Sequence, residues 1–265
     1  METITKKLRF ISLDVADKIA ILTINRPEAL NAIDELVLDE LETTFNQIEH
    51  NENIHVVVIT GAGDKAFVAG GDIAAMKQMT MLEGERFVYR GQRVLSQIEN
   101  SNKVVIAALN GYTLGGGMEL CMACDIRIAS EKAQLGLPEV CIGLYPGWGG
   151  TQRLVRLVGK GIAKELVFTG NRITADRAKE LGIVNRVVKH EELLIECNKL
   201  AENILNNSPV AVMQAKKAIN KGSEISLDNA LALEAEAWLV NFTTEDRVEG
   251  LSSFLEKRKP AYKGK

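Results

Sequence analysis

Two glycine clusters, each leading into a carboxylate, are the residues of this sequence with the clearest potential for chemistry. AGGD spans residues 69–72 and LGGGMEL spans residues 114–120, and each follows a strongly apolar run. Glycine lets the backbone approach a ligand closely, and a helix that begins at such a turn presents unpaired N–H groups. Two neighbouring turns of this kind predict an oxyanion hole, which stabilises an enolate or a tetrahedral oxyanion. Either cluster alone would be explained as a tight turn between a sheet and its helix.

Two glutamates accompany these glycines. Glu119 follows Gly116 by three residues, so a helix would place both on one face. Glu139 comes directly after Pro138 in LGLPEVCIGLYPGWGG, where apolar neighbours should raise the carboxyl pKa and suit it to proton transfer near neutral pH. Either glutamate alone would be explained as a solvated surface residue. Together, beside an oxyanion hole, they predict proton transfer at the carbon next to a carbonyl group.

Two other patterns give weaker indications. GAGDKA at residues 61–66 matches a dinucleotide-binding pattern, but that motif must open a helix and the continuation FVAGGD is poor helix material. Cys121 and Cys124 have a C-x-x-C spacing, but they lie in an apolar run and the three histidines are single and distant. We therefore predict no metal site and interpret both cysteines as core residues.

The composition bounds the class of protein. The chain has 265 residues, of which 46% are apolar and 25% charged, and its net charge of −3 comes with dispersed basic residues. This balance is typical of a soluble globular protein and provides no basic patch for nucleic acid. The apolar run VVIAAL at residues 104–109 is far shorter than the roughly 18 residues of a membrane span. We expect a cytoplasmic protein with no nucleic-acid or membrane partner.

Alternating strand and helix patterns must position the glycine clusters. Strand patterns occupy residues 8–15, 18–27, 55–61 and 103–111, and helical patterns occupy residues 33–50 and 81–99. This alternation predicts an α/β core with crossover connections. From about residue 190 only helical periodicity remains, with Pro209 at a helix start and Gly222 just past a helix end. We therefore predict an α/β core over residues 1–190 and an all-helical region over residues 191–265.

Five motifs distributed along the chain are specific when they are taken together. They are NRPEALNAI (25–33), AFVAGGDI (66–73), ALNGYTLGGGMELCMACDIRIAS (108–130), LGLPEVCIGLYPGWGGTQRL (135–154) and FLEKRKPAYKG (254–264). Over essentially its whole length the sequence resembles the enoyl-CoA hydratase (crotonase) family. The resemblance implies a crotonase-like spiral core of repeated ββα units and a helical C-terminal region that forms trimers or hexamers. It also implies an acyl-CoA substrate, with no cofactor beyond the coenzyme A that the substrate carries.

The resemblance also implies roles for individual residues. The family's oxyanion-hole N–H groups match Gly71 and Gly116, and its two catalytic glutamates match Glu119 and Glu139. In this comparison Glu119 positions a water molecule and accepts its proton, while Glu139 supplies the proton to C2 of a trans-2-enoyl-CoA. Contacts to CoA or substrate are further implied for Ala29, Leu30, Ala69, Asp72, Ile73 and Lys257, and acyl-pocket contacts for Trp148 and Phe254.

Some positions depart from the family's usual pattern. Glu28 and Ala74 stand where many relatives have lysines near the CoA phosphates, and Lys77 or Lys257 would have to compensate. Leu137 replaces a frequent glutamine before the Pro-Glu pair.

Trp148 stands where relatives often carry a small residue in the PGxGG turn. Two interpretations are open for this side chain. Either the indole fills the core beneath the turn, or it closes the acyl end of the pocket and favours acyl chains of about four to six carbons.

Other functions compete with hydration of a short-chain enoyl-CoA. A related hydratase, such as one acting on methylglutaconyl-CoA, would suit the tail EKRKPAYKG. A double-bond isomerase of the family generally keeps the carboxylate that matches Glu139 and loses the one that matches Glu119, so the presence of Glu119 argues against it. A non-catalytic assembly or RNA-binding relative is disfavoured by both glutamates, both glycine turns and the negative net charge.

Overall fold

The computed structural model describes the backbone of residues 4–265 and the side chains from residue 8 onward, so residues 1–3 of the predicted core lie outside the described residues. The strands are β1 Ile4–Lys7, β2 Ile11–Ala16, β3 Ile19–Ile24, β4 Val56–Gly61, β5 Ala66–Val68, β6 Val104–Leu109, β7 Tyr112–Leu114, β8 Ile126–Ser130, β9 Gln134–Gly136, β10 Ile173–Thr174 and β11 Arg186–Val188. The α-helices are α1 Glu35–Glu49, α2 Ile73–Gln78, α3 Met81–Glu99, α4 Gly116–Ala123, α5 Gly150–Thr169, α6 Ala175–Glu180, α7 Leu193–Leu205, α8 Pro209–Gly222, α9 Leu227–Phe242 and α10 Glu245–Leu255. Short 3₁₀ helices span Pro27–Ala29, Pro138–Ile142 and His190–Glu192.

The strands form two sheets. The larger has the order β1-β2-β3-β4-β6-β8-β11, parallel from β3 onward, and the smaller has the order β10-β9-β7-β5, with β5, β7 and β9 parallel. Along the chain, one strand in the large sheet is followed by one in the small sheet and then by helix, in the units β4-β5-α3, β6-β7-α4 and β8-β9-α5. The α/β fold of repeated ββα units is therefore confirmed.

The central strands of the large sheet are buried on both faces, as their β-branched runs predicted. Successive side chains of a strand point to opposite faces. Val57 and Ile59 of β4 pack in the main core, which α1 and α3 cover, while Val56 and Val58 face Cys197 of α7. Helix α7 thus covers the sheet of its own chain, although it lies beyond the predicted boundary at residue 190, and that boundary stays a prediction.

Element ends differ slightly from the predicted ones. Strand β2 begins at Ile11 rather than at Leu8, because residues 8–10 form the turn between β1 and β2, in which Leu8 N–H donates to Ile11 O at 2.8 Å. The Glu40 carboxylate of α1 accepts the N–H groups of this turn. Pro209 is the first residue of α8, as predicted, whereas Gly222 is its last residue rather than the one after it. Across residues 4–265, none of the helices has both the length and the apolar character needed to cross a membrane.

Candidate active site

Three parallel strands of the small sheet end at one edge, and each leads into one part of the predicted site. Strand β5 is followed by the turn Ala69-Gly70-Gly71, β7 by Gly115 and the start of α4, and β9 by Leu137 and the 3₁₀ helix that carries Glu139. The carboxyl ends of neighbouring parallel strands meet at the same edge of a sheet, where loops of α/β proteins bind ligands. The topology therefore brings together residues that are about 70 positions apart in the sequence.

In the first turn, the N–H of Gly71 points away from the neighbouring residue Ile33. Ile33 N–H donates to Gly70 O at 2.9 Å, and Asp72 N–H donates to Ile33 O at 2.9 Å. This is a parallel bridge around Gly71, and in such a bridge the central residue points its own N–H away from its partner. Asp72 then caps α2 by accepting the N–H of Ala75 at 3.0 Å.

The second turn places Gly116 at the first position of α4. Gly115 has a φ of +52° and donates its N–H to Gly136 O at 2.9 Å. The N–H of Gly116 is one of the helix-starting donors that have no acceptor within the helix. The two turns touch, because a Cβ at Gly115 would lie 3.5 Å from Gly70 Cα. At this edge of the sheet we predict that the N–H groups of Gly71 and Gly116 form an oxyanion hole.

Glu119 is a buried carboxylate held by a second helix start. Its side chain is 2% exposed, and its Oε1 accepts the N–H groups of Trp148 and Gly150, each at 2.7 Å. Burial raises the pKa of Glu119 to about 7, and the neighbouring Glu139 carboxyl adds to the rise, while these two N–H groups and Arg153 oppose it. Glu119 can therefore exchange a proton near neutral pH.

Glu139 lies beside the second glycine turn with fewer restraints. Its Oε1 is 3.0 Å from the position that a Cβ on Gly115 would take, so the carboxyl group lies against the second turn. Its Oε2 is buried and receives no hydrogen bond from the described residues. Burial raises the pKa of Glu139, as its apolar neighbours predicted.

Trp148 packs between α3 and the second glycine turn. The indole is 4% exposed and meets Phe87 edge to face at 5.1 Å between ring centroids. Its ring fills the space where a Cβ on Gly91 or on Gly116 would lie, at 2.2 Å and 2.7 Å from ring atoms. The side chain is thus a core residue that also abuts Gly116, and its acyl-pocket role stays a prediction.

The residues expected to contact CoA fall into two groups. Ala29, Leu30, Ala69, Asp72 and Ile73 lie around the first turn, where Ala69 N–H donates to Leu30 O at 3.1 Å and Ile73 opens α2. Lys77 lies in the last turn of the same helix and is exposed, as are Glu28 and Ala74.

Phe254 and Lys257 lie elsewhere in the chain. Phe254 is on α10 and is 81% exposed, and Lys257 follows that helix with a φ of +56°. No hydrogen bond or ion pair among the described residues joins either one to the glycine turns. Their assignments therefore stay predictions.

The two weaker patterns are resolved by the local structure. GAGDKA leads into strand β5 and not into a helix, so it lacks the helix start that binds a pyrophosphate. Cys121 and Cys124 are buried in the core, as predicted, and burial raises the pKa of Cys121 to about 12.

Two arginines whose partners the sequence did not reveal support the site. One lies beside the first glycine turn, and the other lies beside the turn at residues 147–150 that holds Glu119. Arg26 forms ion pairs with Asp34 at 3.2 Å and with Asp72 at 2.8 Å beside the first turn. Arg153 pairs with Glu99 at 2.8 Å and donates to Trp148 O at 2.9 Å beside the turn that holds Glu119. Both arginines lie within the recognised motifs, but an isolated arginine in a motif does not indicate its partner.

Comparisons with known proteins agree with this geometry. A family model described as enoyl-CoA hydratase/isomerase matches residues 14–265. The chain is 48% identical over 253 residues to a short-chain-enoyl-CoA hydratase of Clostridium acetobutylicum, covering 96% of this chain and 97% of that protein. It is 47% identical over 249 residues to a crotonyl-CoA hydratase of Syntrophomonas wolfei, covering 94% and 96%. The crystal structure of an enoyl-CoA hydratase from Bacillus anthracis superposes with a TM-score of 0.95 at 43% identity, covering 97% of this chain and all of that one. The chain therefore belongs to the enoyl-CoA hydratase/isomerase family.

Proposed function

We propose that this protein is an enoyl-CoA hydratase that reversibly adds water across the C2=C3 bond of a trans-2-enoyl-CoA to give a 3-hydroxyacyl-CoA. The observation that carries the proposal is the presence of two carboxyl groups beside the touching glycine turns. Glu119 is buried on α4, and the carboxyl group of Glu139, which is partly exposed, lies against Gly115. An isomerase needs one proton-transferring carboxylate, whereas addition of water needs one group for the water and one for C2. Two backbone donors hold Glu119 in place beside the second glycine turn.

Each group has a definite task in the proposed reaction. The N–H groups of Gly71 and Gly116 bind the thioester oxygen as it gains negative charge. The Glu119 carboxylate orients a water molecule and takes one of its protons while the water oxygen bonds to C3. The protonated Glu139 gives its proton to C2. The product is the 3-hydroxyacyl-CoA, and afterwards Glu119 is protonated and Glu139 is ionised. The reaction transfers no electrons to or from the protein, and we propose that it needs neither a metal ion nor a redox cofactor.

Burial raises the pKa of both carboxyl groups, so each can exchange a proton closer to neutral pH than an exposed glutamate can. The active pair holds one proton, because Glu119 must be ionised and Glu139 protonated before hydration begins. Two interacting carboxyl groups share their protons, so the two apparent pKa values of the pH profile belong to the pair. We expect activity to fall at low pH, where both groups are protonated, and at high pH, where both are ionised.

We further propose a short acyl chain as the substrate. The names of the two curated relatives, short-chain-enoyl-CoA hydratase and crotonyl-CoA hydratase, support this choice. The Trp148 ring supports it as well, since it occupies the space beside Gly116 that a smaller side chain would leave open. Crotonyl-CoA is therefore the substrate to test first.

We propose that the protein works in the cytoplasm as a homo-oligomer, a trimer or a hexamer. Helices α9 and α10 carry large apolar side chains that are more than half exposed in one chain, and a patch of this kind marks an interaction surface. They are Leu227, Leu231, Trp238, Leu239, Val248, Leu251, Phe254 and Leu255. Light scattering coupled to size-exclusion chromatography would give the number of chains.

Hydration of crotonyl-CoA, followed by the loss of absorbance of its conjugated thioester, tests the proposed function. We expect turnover by the purified protein, the same turnover after treatment with EDTA, and 3-hydroxybutyryl-CoA as the product by mass spectrometry. The matched control is Glu119→Gln, which keeps the shape of the site. Isomerisation of a 3-enoyl-CoA without hydration would instead identify an isomerase, and no activity on any enoyl-CoA would contradict the proposal.

A further inference from the structure

Arg153 binds the turn at residues 147–150, whose backbone N–H groups hold Glu119. Its guanidinium group forms a bidentate pair with Glu99 of α3, with Nε at 3.2 Å from both carboxylate oxygens and one terminal nitrogen at 2.8 Å from Oε2. Its other terminal nitrogen donates to Trp148 O at 2.9 Å. A bidentate arginine–carboxylate pair fixes direction as well as distance. Arg153 therefore links the turn to helix α3.

The same turn supplies both donors to Glu119. The N–H of Trp148 belongs to the residue whose carbonyl oxygen Arg153 binds, and the N–H of Gly150 follows two residues later. Gly149, with a φ of +105°, lies between them and leaves room for the guanidinium group, since a Cβ there would be 2.4 Å from an Arg153 nitrogen. Gly150 must also lack a side chain, because its Cβ would lie 2.9 Å from Glu119 Oε1. The turn is thus bounded by Arg153 on one side and by Glu119 on the other.

We propose that Arg153, fixed by Glu99, is a positioning residue that acts through the backbone of Trp148 and Gly150 to hold Glu119 in the ionised form and orientation needed to activate water. The inference rests on the proposed hydratase function for its kinetic consequences. Its structural part, the effect of Arg153 on the protonation of Glu119, does not depend on which reaction is catalysed.

The pKa of Glu119 depends on the charged groups around it. Glu139, on the 3₁₀ helix, faces Glu119 and disfavours its charge, and Arg153, on α5, favours it. Glu99, on α3, lies beyond Arg153 and is paired with it. Loss of the arginine should therefore raise the pKa of Glu119 twice over, by removing a positive charge and by releasing the two N–H donors.

The first test compares Arg153→Met with Arg156→Met. Arg156 lies on the same helix, is 53% exposed and pairs with Glu224, so its variant controls for the loss of a surface arginine. In Arg153→Met we expect the rising limb of the pH profile to move up by about one pH unit. At neutral pH kcat should fall about ten- to a hundredfold, as expected for a slightly misplaced catalytic group, with KM nearly unchanged. Arg156→Met should keep the profile of the unmodified protein.

Two conservative variants separate positioning from simple charge. Arg153→Lys keeps the positive charge but loses the bidentate geometry, and Glu99→Gln keeps Arg153 but loosens its anchor. Positioning predicts that both variants move the rising limb upward, by less than Arg153→Met does. A purely electrostatic role predicts that Arg153→Lys behaves like the unmodified protein and that Glu99→Gln, which removes a negative charge, moves the limb downward. That second pattern would overturn the proposal, as would an unchanged profile in Arg153→Met.

A carbon-13 NMR titration of the Glu119 carboxyl carbon gives a readout that needs no substrate, with the signal assigned by its loss in Glu119→Gln. We expect a higher pKa of Glu119 in Arg153→Met and Glu99→Gln than in the unmodified protein and in Arg156→Met. If the unmodified protein does not hydrate any enoyl-CoA, the proposed function fails while this titration still tests the role of Arg153. Equal pKa values of Glu119 in all four proteins would overturn the inference whatever the activity.

Discussion

Glu119 and Glu139 both lie beside the second glycine turn, yet they are held in different ways. Glu119 is almost fully buried on a regular α-helix, with one oxygen fixed by two backbone donors. Glu139 lies on a short 3₁₀ helix, is partly exposed, and has one buried oxygen that receives no hydrogen bond from the described residues. Two donors on one oxygen fix a carboxyl group in one orientation. The difference suits Glu119 to hold a water molecule in place and leaves the carboxyl group of Glu139 freer to transfer a proton at C2.

Removal of the acid should have the largest effect. Glu139→Gln keeps the size of the side chain but removes its proton, so we expect kcat for crotonyl-CoA hydration to fall by a factor of about 10²–10⁴ with little change in KM. Glu119→Gln should be similarly severe for hydration. Steady-state kinetics after a check of secondary structure and oligomer size would measure this. A variant of either residue with normal turnover would remove that residue from the mechanism.

Trp148 belongs to the turn that holds Glu119. Trp148→Ala leaves a large cavity between Phe87, Gly91 and Gly116, so we expect the free energy of unfolding to fall by about 3–5 kcal/mol. If the ring also limits the acyl pocket, kcat/KM for longer enoyl-CoA substrates should rise relative to that for crotonyl-CoA. Urea denaturation and the ratio of the two substrates would measure the two effects. An unchanged ratio would make Trp148 a core residue only and remove its support for a short-chain substrate.

The burial of Glu119 should cost stability, and the sign of this effect depends on pH. Its pKa is about 7 in the folded protein, above the value of an exposed glutamate, so the folded state binds more protons between pH 4.5 and 7. The free energy of unfolding therefore loses the contribution of Glu119 as the pH rises through this window. Glu119→Gln cannot ionise and should be more stable than the unmodified protein by up to about 3 kcal/mol at pH 8, with little difference at pH 4.

The exposed Glu131 provides a matched control for this experiment. Glu131→Gln should show no such pH-dependent gain in urea denaturation at fixed protein concentration. Equal stability of Glu119→Gln and the unmodified protein at pH 8 would show that Glu119 is not destabilised by burial.

Replacing Gly71 and replacing Gly116 by alanine should lower the free energy of unfolding by different amounts. This is the smallest of the predicted effects. A Cβ on Gly116 would lie 2.7 Å from the Trp148 ring, whereas one on Gly71 would meet only the flexible end of Met76 at 3.4 Å. Both alanine variants keep the backbone N–H. We expect Gly116→Ala to lower the free energy of unfolding by about 1–3 kcal/mol and Gly71→Ala to lower it by much less. The opposite order would contradict the packing of Trp148 against Gly116.

Local patterns predicted the elements that are long or chemically uniform. The helices over residues 33–50 and 81–99 were predicted from apolar periodicity, and the strands over residues 55–61 and 103–111 from their runs of β-branched residues. All four are present with small shifts at their ends. The small sheet was not predicted from periodicity, because β5, β7 and β9 have three residues each and offer no repeat to detect. The small sheet was predicted only indirectly, through the repeated ββα units that the family resemblance implied.

The site shows a similar limit. Gly71, Gly116, Glu119 and Glu139 were singled out from the sequence because glycine clusters and nearby glutamates are local features. The donors to Glu119 come from residues 29 and 31 positions away, and Arg153 meets Glu99 across 54 positions. Contacts of this length depend on how α3, α4 and α5 pack. Local sequence patterns therefore could not predict these contacts.

Exchange of the C2 protons of butyryl-CoA in D₂O is the most direct test of the division of tasks between the two glutamates. This saturated thioester has no double bond and no hydroxyl group, so exchange reports only proton transfer at C2 under the influence of the oxyanion hole. We predict that Glu119→Gln retains exchange, measured by proton NMR, although it has lost hydration, and that Glu139→Gln loses both. Exchange that survives in Glu139→Gln and disappears in Glu119→Gln would contradict the account and reverse the two roles.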